Sequence, residues 1–373
     1  MIRVVEVISD TNIGGAGRLL LNRMKCSDRE KINYTVILPR GSMLTPRLKQ
    51  IGVGIVEIDG CYDRSFDIKG FFSLYKVIKK ISPDLVNSHA CISARMAGKM
   101  AGVDVNIYTR HCDFSVKGAF SMPLIRKVFG ALSDLITDGI IAVSYSAKKN
   151  LLLLGAKEKS IKVIINGADC VSTLGSEEKK KIKAELNIPA NATVVSIFAR
   201  LEAYKDHKTL LRAAKLLKND KNIYFLIVGN GTLEAELKKY AERLGLDCRV
   251  RLLGFVEDVS KIMNITDINV NCSTGTETSS LSLSEGMSIG IPAIASDYSG
   301  NKYMVKNGVN GLIFPQGNYK RLAKCIIDLT SDNALYTQLS QNAKKRFFSE
   351  LNAERMTRET EKYYFEMLKN KAR

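Results

Sequence analysis

Short apolar runs alternate with longer amphipathic segments along the chain, and this alternation predicts strands separated by helices. Residues 69–81, for example, place Leu74 and Ile78 on one face of a predicted helix. Repeated strand–helix units are typical of an α/β fold with a parallel sheet. The predicted strands cover residues 4–9, 34–38, 55–58, 85–88, 105–109, 139–143 and 161–165 in the first half, and 193–198, 224–228, 250–253, 268–271, 292–295 and 311–314 in the second.

A polar stretch over residues 167–178 interrupts this alternation, which then starts again. The 373 residues suffice for two domains of roughly 150 residues each. We therefore predict two Rossmann-like domains, over residues 1–170 and 171–350, with a C-terminal helix at 351–373 that packs back on the first domain. Residues 331–371 as a whole are predicted to be helical. Ligands of such sheets bind beyond the carboxyl ends of the strands, so the loops there are the candidate sites.

The composition is typical of a globular protein, with 45% hydrophobic and 25% charged residues. No apolar run reaches the roughly 18 residues that cross a bilayer, and the N-terminus does not have the pattern of a signal peptide. Eight cysteines occur without C-x-x-C spacing, which argues against a zinc site or a disulfide framework and favours free thiols. We therefore expect a cytoplasmic protein.

The formal net charge of +18 would attract polyanions, which include nucleic acids, anionic membranes and phosphorylated ligands. A generic basic surface would give the same charge. The sequence has no basic stripe interleaved with aromatic residues, so a nucleic-acid partner is not expected.

A glycine-rich loop, Gly14-Gly15-Ala16-Gly17, follows the first predicted strand and leads into a predicted helix. Glycines allow the backbone to approach an anion, and the start of a helix offers free N–H groups. The loop does not fit G-x-G-x-x-G, and no acidic residue ends the second strand, which argues against a dinucleotide site. A tight turn without a ligand remains the alternative to a phosphate loop.

Two cations, Arg200 and Lys205, follow the first strand of the second domain. Arginine offers a planar bidentate fork and lysine a point charge, a combination that suits a diphosphate. A solvated charged loop is the alternative.

Two glutamates, Glu277 and Glu285, are separated by seven residues. Thr278, Ser279 and Ser280 are N-cap candidates for a helix that would hold Glu285 about two turns from its start. A carboxylate among the apolar residues of that helix needs hydrogen-bond donors, which ribose or hexose hydroxyls could supply. A glutamate on the helix surface is the alternative.

Taken together, these motifs resemble glycosyltransferase family 4, the retaining enzymes of the GT-B fold. The family's E-x7-E motif matches Glu277 and Glu285, and its R-x4-K pair matches Arg200 and Lys205. Further matches, in the expected order, are the glycine loop at Gly14 and Gly15, the hinge pair Asn166-Gly167, and residues 228–231, 253–255 and 290–292.

The resemblance implies a role for each matching position of the second domain. Arg200 and Lys205 would neutralise the donor diphosphate, Glu285 would bind the ribose, and Glu277 would bind the transferred sugar. Backbone groups near Gly254 and Phe255 would contact the base, and those of Thr278, Ser279 and Ser280 would face phosphate or sugar. After the first glutamate the family usually has glycine, a variable residue, then glycine or proline, where this chain has Thr278-Ser279-Ser280. This departure puts the identity of the donor sugar in doubt.

In the first domain, the resemblance implies that the backbone at Gly14 and Gly15 faces the donor and that His111 contacts the donor sugar. His89 and Asn166 are further candidates, with a structural histidine as the alternative for His89. The resemblance implies no protein nucleophile, and the donor phosphate itself would take the acceptor proton. No D-x-D pair occurs, and we predict neither a metal nor a cofactor.

The predicted function is therefore a retaining transfer of a hexose-type sugar from a UDP- or GDP-linked donor to a saccharide acceptor. The first domain would lie on the acceptor side of a central cleft, and the second would bind the nucleotide sugar. A nucleotide-sugar epimerase of the same fold is the main alternative, followed by a nucleic-acid-binding protein. An NAD-dependent oxidoreductase is disfavoured because the dinucleotide fingerprint is absent.

Residues 114–129 mix apolar and basic side chains, a composition that suits binding to an anionic membrane. From this segment we predict a lipid-linked saccharide acceptor and peripheral attachment at the inner face of the cell membrane. The alternative is a helix that faces the core with an ordinary charged side. The residues concerned are Phe120, Met122, Leu124, Ile125 and Phe129, with Lys117, Arg126 and Lys127.

Overall fold

The computed structural model describes residues 1–113 and 118–372, with only the backbone described for residues 119 and 120. The chain forms two compact units, of which the first comprises Met1–Ala168 with Ala353–Arg373 and the second Asp169–Asn352. The chain leaves the first unit at Ala168 and re-enters it at Ala353, whose backbone N–H donates to the Ala168 carbonyl over 2.9 Å.

The first unit is built on a seven-stranded sheet in the order β3-β2-β1-β4-β5-β6-β7, and all its neighbouring strands pair in parallel. The central strands are continuous buried runs, as expected where both faces of a parallel sheet are covered. The strands are β1 (Ile2–Ile8), β2 (Ile32–Pro39), β3 (Gly54–Ile58), β4 (Leu85–His89), β5 (Val105–Arg110), β6 (Gly139–Ala142) and β7 (Ile161–Val163).

Helices connect these strands, and a last helix, from the end of the chain, packs with the connecting helices. Asp67 caps one connecting helix by accepting from the Gly70 N–H, and the buried Leu74 and Ile78 of that helix pack on the sheet. The final helix, α15, packs on α1. The helices are α1 (Gly15–Cys26), α2 (Leu44–Ile51), α3 (Ile68–Ile81), α4 (Ile92–Met100), α5 (Pro123–Leu135), α6 (Tyr145–Leu153) and α15 (Ala353–Lys371).

The second unit repeats this plan around a six-stranded parallel sheet in the order β10-β9-β8-β11-β12-β13. Its strands are β8 (Thr193–Phe198), β9 (Ile223–Val228), β10 (Val250–Gly254), β11 (Ile268–Asn271), β12 (Ala293–Ser296) and β13 (Gly311–Phe314). Its helices are α7 (Ser176–Glu185), α8 (His207–Leu216), α9 (Glu234–Arg243), α10 (Val259–Asn264), α11 (Leu281–Ser288), α12 (Asn301–Met304), α13 (Tyr319–Ser331) and α14 (Asn333–Arg346).

The predicted fold class is confirmed, because each predicted strand is present and its ends differ from the prediction by at most two residues. The single helical stretch predicted over residues 331–371 is wrong in detail. Asp332 starts a new helix by capping α14, and a short π-helical turn, Phe347–Leu351, follows it. Asn352 has an extended backbone, so the helical structure is interrupted there before α15 begins.

Candidate active site

The loops that follow β8, β9 and β10 are joined to one another by backbone hydrogen bonds. The Leu201 N–H donates to the Asn230 carbonyl over 2.8 Å, and the Gly229 N–H donates to the Gly254 carbonyl over 2.8 Å. Gly229 has a φ of +137°, and a β-carbon there would lie 2.1 Å from the Ala199 oxygen. Only glycine permits this approach, so Gly229 and the loop after β9 fix the position of the segment that carries Arg200.

Arg200 and Lys205 lie in the loop after β8, but they have different surroundings. Arg200 is exposed and donates to the Tyr204 hydroxyl over 2.5 Å. Lys205 is half-buried, and its Nζ lies 2.5 Å from Oε2 of Glu277. The structure thus brings together a cation and a carboxylate whose contact the sequence did not predict, because 72 residues separate them.

Glu277 is buried, with one carboxylate oxygen held by several donors. Besides Lys205, the Asn271 amide donates to Oε2 over 3.1 Å and the Ser273 hydroxyl over 2.9 Å. The preceding residue, Thr276, has a left-handed φ of +48°, a conformation that a threonine rarely adopts. Asn271 and Ser273 are site residues that the sequence analysis missed, although both lie at the carboxyl end of β11.

Glu285 lies on α11, which begins at Leu281. The prediction that it lies about two turns into the helix is wrong, because Ser280 is the N-cap and Glu285 therefore falls early in the second turn. Its side chain is buried, as is that of Thr278, while Ser279 is half-buried. Gly300 lies so close to the Thr278 carbonyl that a β-carbon there would be 1.9 Å from its oxygen.

The end of β10 presents an aromatic ring to solvent. Gly254 has a φ of +66°, and the Phe255 side chain that follows is 69% exposed. A large exposed aromatic side chain at the carboxyl end of a strand is suited to stacking on a planar base.

In the first unit, the glycine loop forms the start of α1. Gly14 is the N-cap, has an ordinary φ of −84° and provides no side-chain cap. At Gly15 a β-carbon would meet nothing within 4 Å, whereas at Gly17 it would lie 2.9 Å from a Leu44 side-chain carbon. A side chain at Gly17 would therefore displace Leu44. The Gly14 N–H donates to the Asn12 carbonyl over 3.0 Å, and α1 begins at Gly15 without a side-chain acceptor from the N-cap.

His111 and His89 lie at the ends of β5 and β4 and contact each other. His89 Nδ1 lies 2.7 Å from His111 Nε2, and His89 Nε2 lies 3.0 Å from Oε2 of Glu6. Because the ionised Glu6 can only accept, a neutral His89 donates to it and accepts from His111, which then carries its proton on Nε2. Burial lowers the pKa of His111 well below its ordinary value, and the positive charges of Arg23 and Arg110 act in the same direction.

Glu6 is fully buried in β1 and is a residue that the sequence analysis missed. Its Oε1 pairs with Arg23 at 2.5 Å and accepts from the Tyr364 hydroxyl over 2.9 Å, while Oε2 also accepts from the Asn87 amide over 2.8 Å. Burial alone would raise the pKa of Glu6, but Arg23 and His89 outweigh it and lower that pKa to about 2. The signal in the sequence was a carboxylate, Glu6, within the apolar run of residues 4–8.

Asn166 is buried near the two histidines and lines a small cavity of about 30 Å³ with His89 and His111. The structure therefore groups the three candidate residues of the first unit that lie outside the glycine loop. All eight cysteines are free. In the part of the chain that the structure describes, no three His, Cys, Asp or Glu side chains cluster as metal ligands, and no helix could span a membrane.

Comparison with known families assigns both units to the same kind of enzyme. The family described as Glycosyltransferase Family 4 matches residues 13–171, and the family described as Glycosyl transferases group 1 matches residues 178–346.

Characterised relatives extend over almost the whole chain. The UDP-Gal:alpha-D-GlcNAc-diphosphoundecaprenol alpha-1,3-galactosyltransferase of Escherichia coli is 26% identical, over 99% of this chain and 98% of that protein. The GalNAc-alpha-(1->4)-GalNAc-alpha-(1->3)-diNAcBac-PP-undecaprenol alpha-1,4-N-acetyl-D-galactosaminyltransferase of Campylobacter jejuni is 25% identical, over 93% of this chain and 94% of that protein. The epimerase alternative has no support from these relatives.

Solved structures with the same fold include Anabaena HepE in complex with UDP and glucose. It has a TM-score of 0.83 and 22% identity, and the match covers 98% of this chain and 99% of HepE. A glycosyltransferase from Rickettsia africae has a TM-score of 0.86 and 21% identity, over 99% of both chains. The chain is therefore a glycosyltransferase of the GT-B fold, with a family 4 domain followed by a group 1 domain.

Proposed function

We propose that this glycosyltransferase transfers a hexose-type sugar from a UDP-linked donor to a lipid-linked saccharide, with retention of configuration. The observation that carries the proposal is the pair between half-buried Lys205 and buried Glu277 in the same unit as Arg200, with Glu285 on the helix that follows. This arrangement offers cations to a diphosphate and carboxylates to sugar hydroxyls within one unit.

The donor would be bound by charge and by hydroxyl recognition. Arg200 and Lys205 would neutralise the diphosphate as its charge grows in the transition state, since preorganised charges stabilise a leaving group without reorganisation. Glu277 is held in place by Asn271 and Ser273 and would orient the sugar hydroxyls, while Glu285 would accept from the ribose. Phe255 would stack on the base.

Two comparisons favour UDP over GDP as the nucleotide. The relative from E. coli is a UDP-Gal transferase, and Anabaena HepE is known in complex with UDP-glucose. Retention rests on the resemblance to family 4, in which the acceptor oxygen forms the new bond on the face that the nucleotide leaves. The acceptor proton would pass to the departing phosphate oxygen, so that no side chain is required as a general base.

The lipid-linked acceptor is supported by the relatives from E. coli and C. jejuni, both named for undecaprenol-linked substrates. It is also supported by α5, whose side chains Leu124, Leu132 and Leu135 are 69%, 57% and 67% exposed. Lys127 is exposed on the same helix, and a cation beside an apolar face suits an anionic leaflet. Of the predicted segment, Phe114 and Lys117 lie outside the described residues, as does the Phe120 side chain.

A donor and acceptor screen tests the proposed reaction. Purified protein is incubated with UDP- and GDP-sugars and a diphospholipid-linked N-acetylhexosamine, and the product is analysed by NMR. We expect an α-linked product from an α-linked UDP-sugar only. A β-linked product would refute retention, and conversion of the donor without an acceptor would revive the epimerase alternative.

Co-sedimentation with vesicles tests membrane attachment independently. We expect Leu124→Ser with Leu132→Ser to reduce binding to anionic vesicles at low salt, because each exposed leucine loses its burial in the interface. Leu216→Ser, at a 52% exposed leucine of the second unit, is the matched control. Equal binding of both variants would refute a role for α5.

A further inference from the structure

The first unit contains a cavity of about 240 Å³ at the carboxyl end of β5, under helix α5. Its walls are mainly apolar, and its volume exceeds the roughly 150 Å³ that a benzene molecule fills in an engineered cavity. None of the candidate donor-binding residues lines it. The lining includes Arg95, Tyr108, Arg110, Phe129, Ile140 and Leu151.

Arg95 is a buried cation in the wall of this cavity. One of its terminal nitrogens donates to the Ser133 hydroxyl over 2.9 Å and to the Thr137 hydroxyl over 3.3 Å. Its guanidinium also lies 4.4 Å from the centre of the Tyr108 ring. Among the described residues, its Nε has no hydrogen-bond partner and no carboxylate lies within 4.0 Å of the side chain.

A second buried guanidinium, that of Arg110, lines the same cavity. It donates to the Tyr108 hydroxyl over 2.8 Å and to the Asn150 amide oxygen over 3.2 Å, so that one tyrosine contacts both arginines. Burial lowers the pKa of Arg95, and the charge of Arg110 opposes its ionisation further. The buried charge of Arg95, which has no carboxylate partner among the described residues, is unfavourable unless an anion compensates it.

Helix α5 gives the cavity a second property, because both of its faces are apolar. Phe129 and Gly130 face the cavity, while Leu124 and Leu132 are exposed on the outside. A helix that is apolar on both sides is expected in a protein core or against lipid. An anionic group attached to a hydrocarbon would therefore meet cations in the cavity and apolar surface around them.

We propose that this cavity binds the phosphate end of a prenyl or alkyl phosphate, with Arg95 on the phosphate and the apolar walls around the first carbons. The proposal rests on the proposed function for the identification of the ligand as the lipid part of the acceptor. The forked guanidinium suits phosphate oxygens, and the mainly apolar walls suit a hydrocarbon.

Calorimetry on the full chain, with geranyl phosphate as the probe, tests this site without donor or sugar. We expect Arg95→Gln to weaken geranyl phosphate binding at least tenfold and Arg95→Lys to restore part of it. Ala156→Leu, which fills the cavity and leaves both charges in place, should also weaken it. Arg40→Gln, at an exposed arginine paired with Asp59, is the control.

Two further probes separate the sources of affinity. Geraniol, which has no charge, and inorganic phosphate, which has no hydrocarbon, should each bind far more weakly than geranyl phosphate. Equal affinity for inorganic phosphate would overturn the lipid assignment. Geranyl phosphate binding that is unchanged in both Arg95→Gln and Ala156→Leu would overturn the site itself, provided that hydrogen exchange of β5 shows both variants folded.

The failure of this site can be distinguished from the failure of the proposed function. If transfer to a lipid-linked saccharide keeps its KM in Arg95→Gln, the cavity assignment is wrong and the function stands. If geranyl phosphate binds with the predicted dependence on Arg95 but no lipid-linked saccharide is an acceptor, the site stands and the proposed acceptor is wrong.

Discussion

Replacement of Glu6 by glutamine should destabilise the first unit more than the replacement of any surface carboxylate. The pKa of Glu6 falls from an ordinary value of 4.5 to about 2, a difference that corresponds to roughly 3 kcal/mol of stability at neutral pH. Removing one partner of a buried ion pair costs about 3–5 kcal/mol, which agrees with that figure. Arg23, with its side chain 6% exposed, would be left without its carboxylate.

The pH dependence makes this prediction specific. Because the pKa of Glu6 is lower in the folded state, its contribution is complete above about pH 4.5 and is lost as the pH falls toward 2. The difference between the natural protein and Glu6→Gln should therefore be constant from pH 7 to 5. By pH 3 it should shrink by roughly 2 kcal/mol, at 1.36 kcal/mol per pH unit.

Hydrogen exchange measured by mass spectrometry, corrected for the intrinsic exchange rate at each pH, can follow the two units separately. Peptides from β1 and β4 report the first unit, and those from β8 and β11 serve as an internal control. Glu359→Gln, which breaks a partly exposed pair with Arg355, should change stability by less than about 1 kcal/mol. A loss below 1 kcal/mol for Glu6→Gln, or a difference independent of pH down to 3, would refute the reasoning.

Three further predictions concern the second unit. Arg200→Ala and Lys205→Ala should each lower turnover by ~100-fold or more in steady-state kinetics, because each removes a preorganised charge. The control Lys208→Ala, at a lysine of α8, should keep its turnover. Rates within a few-fold of the parent for the first two variants would contradict the assignment. Glu285→Gln should weaken UDP binding in calorimetry, whereas Glu277→Gln should keep UDP affinity and slow sugar transfer; the reverse pattern would exchange the two roles. Gly229→Ala should lower the melting temperature of the second unit, since its φ is +137° and its β-carbon would meet the Ala199 oxygen at 2.1 Å; the control Gly175→Ala has open space around it, and an equal effect would remove the explanation.

The strands could be predicted because apolar runs separated by amphipathic segments depend on local sequence alone. The break at Asn352 could not, since it lies between two good helical patterns and depends on where the chain re-enters the first unit. The start of α11 at Leu281 could not be predicted either, because Thr278, Ser279 and Ser280 are all good N-cap residues. Only the folded loop selects Ser280 among them.

In the site, sequence motifs identified Arg200, Lys205, Glu277 and Glu285 as candidates but gave no contacts among them. The Lys205–Glu277 pair and the link from Glu6 through His89 to His111 join residues far apart in the chain. Such contacts depend on the order of strands in the sheet, which local patterns do not specify. A charged residue within an apolar strand, as at Glu6, is the signal that would have justified a search for buried partners.

The return of the chain to the first unit at Ala353 has a consequence for biosynthesis. Tyr364, which donates to Glu6, is made 358 residues later, after the whole second unit has been synthesised. At about 5–20 residues per second, synthesis from Ala168 to Ala353 takes roughly 10–40 s, and during that time the first unit does not have its last helix. The N-terminal unit is therefore synthesised first and completed last. During translation, the buried Glu6–Arg23 pair has no contact with Tyr364 until α15 has been made.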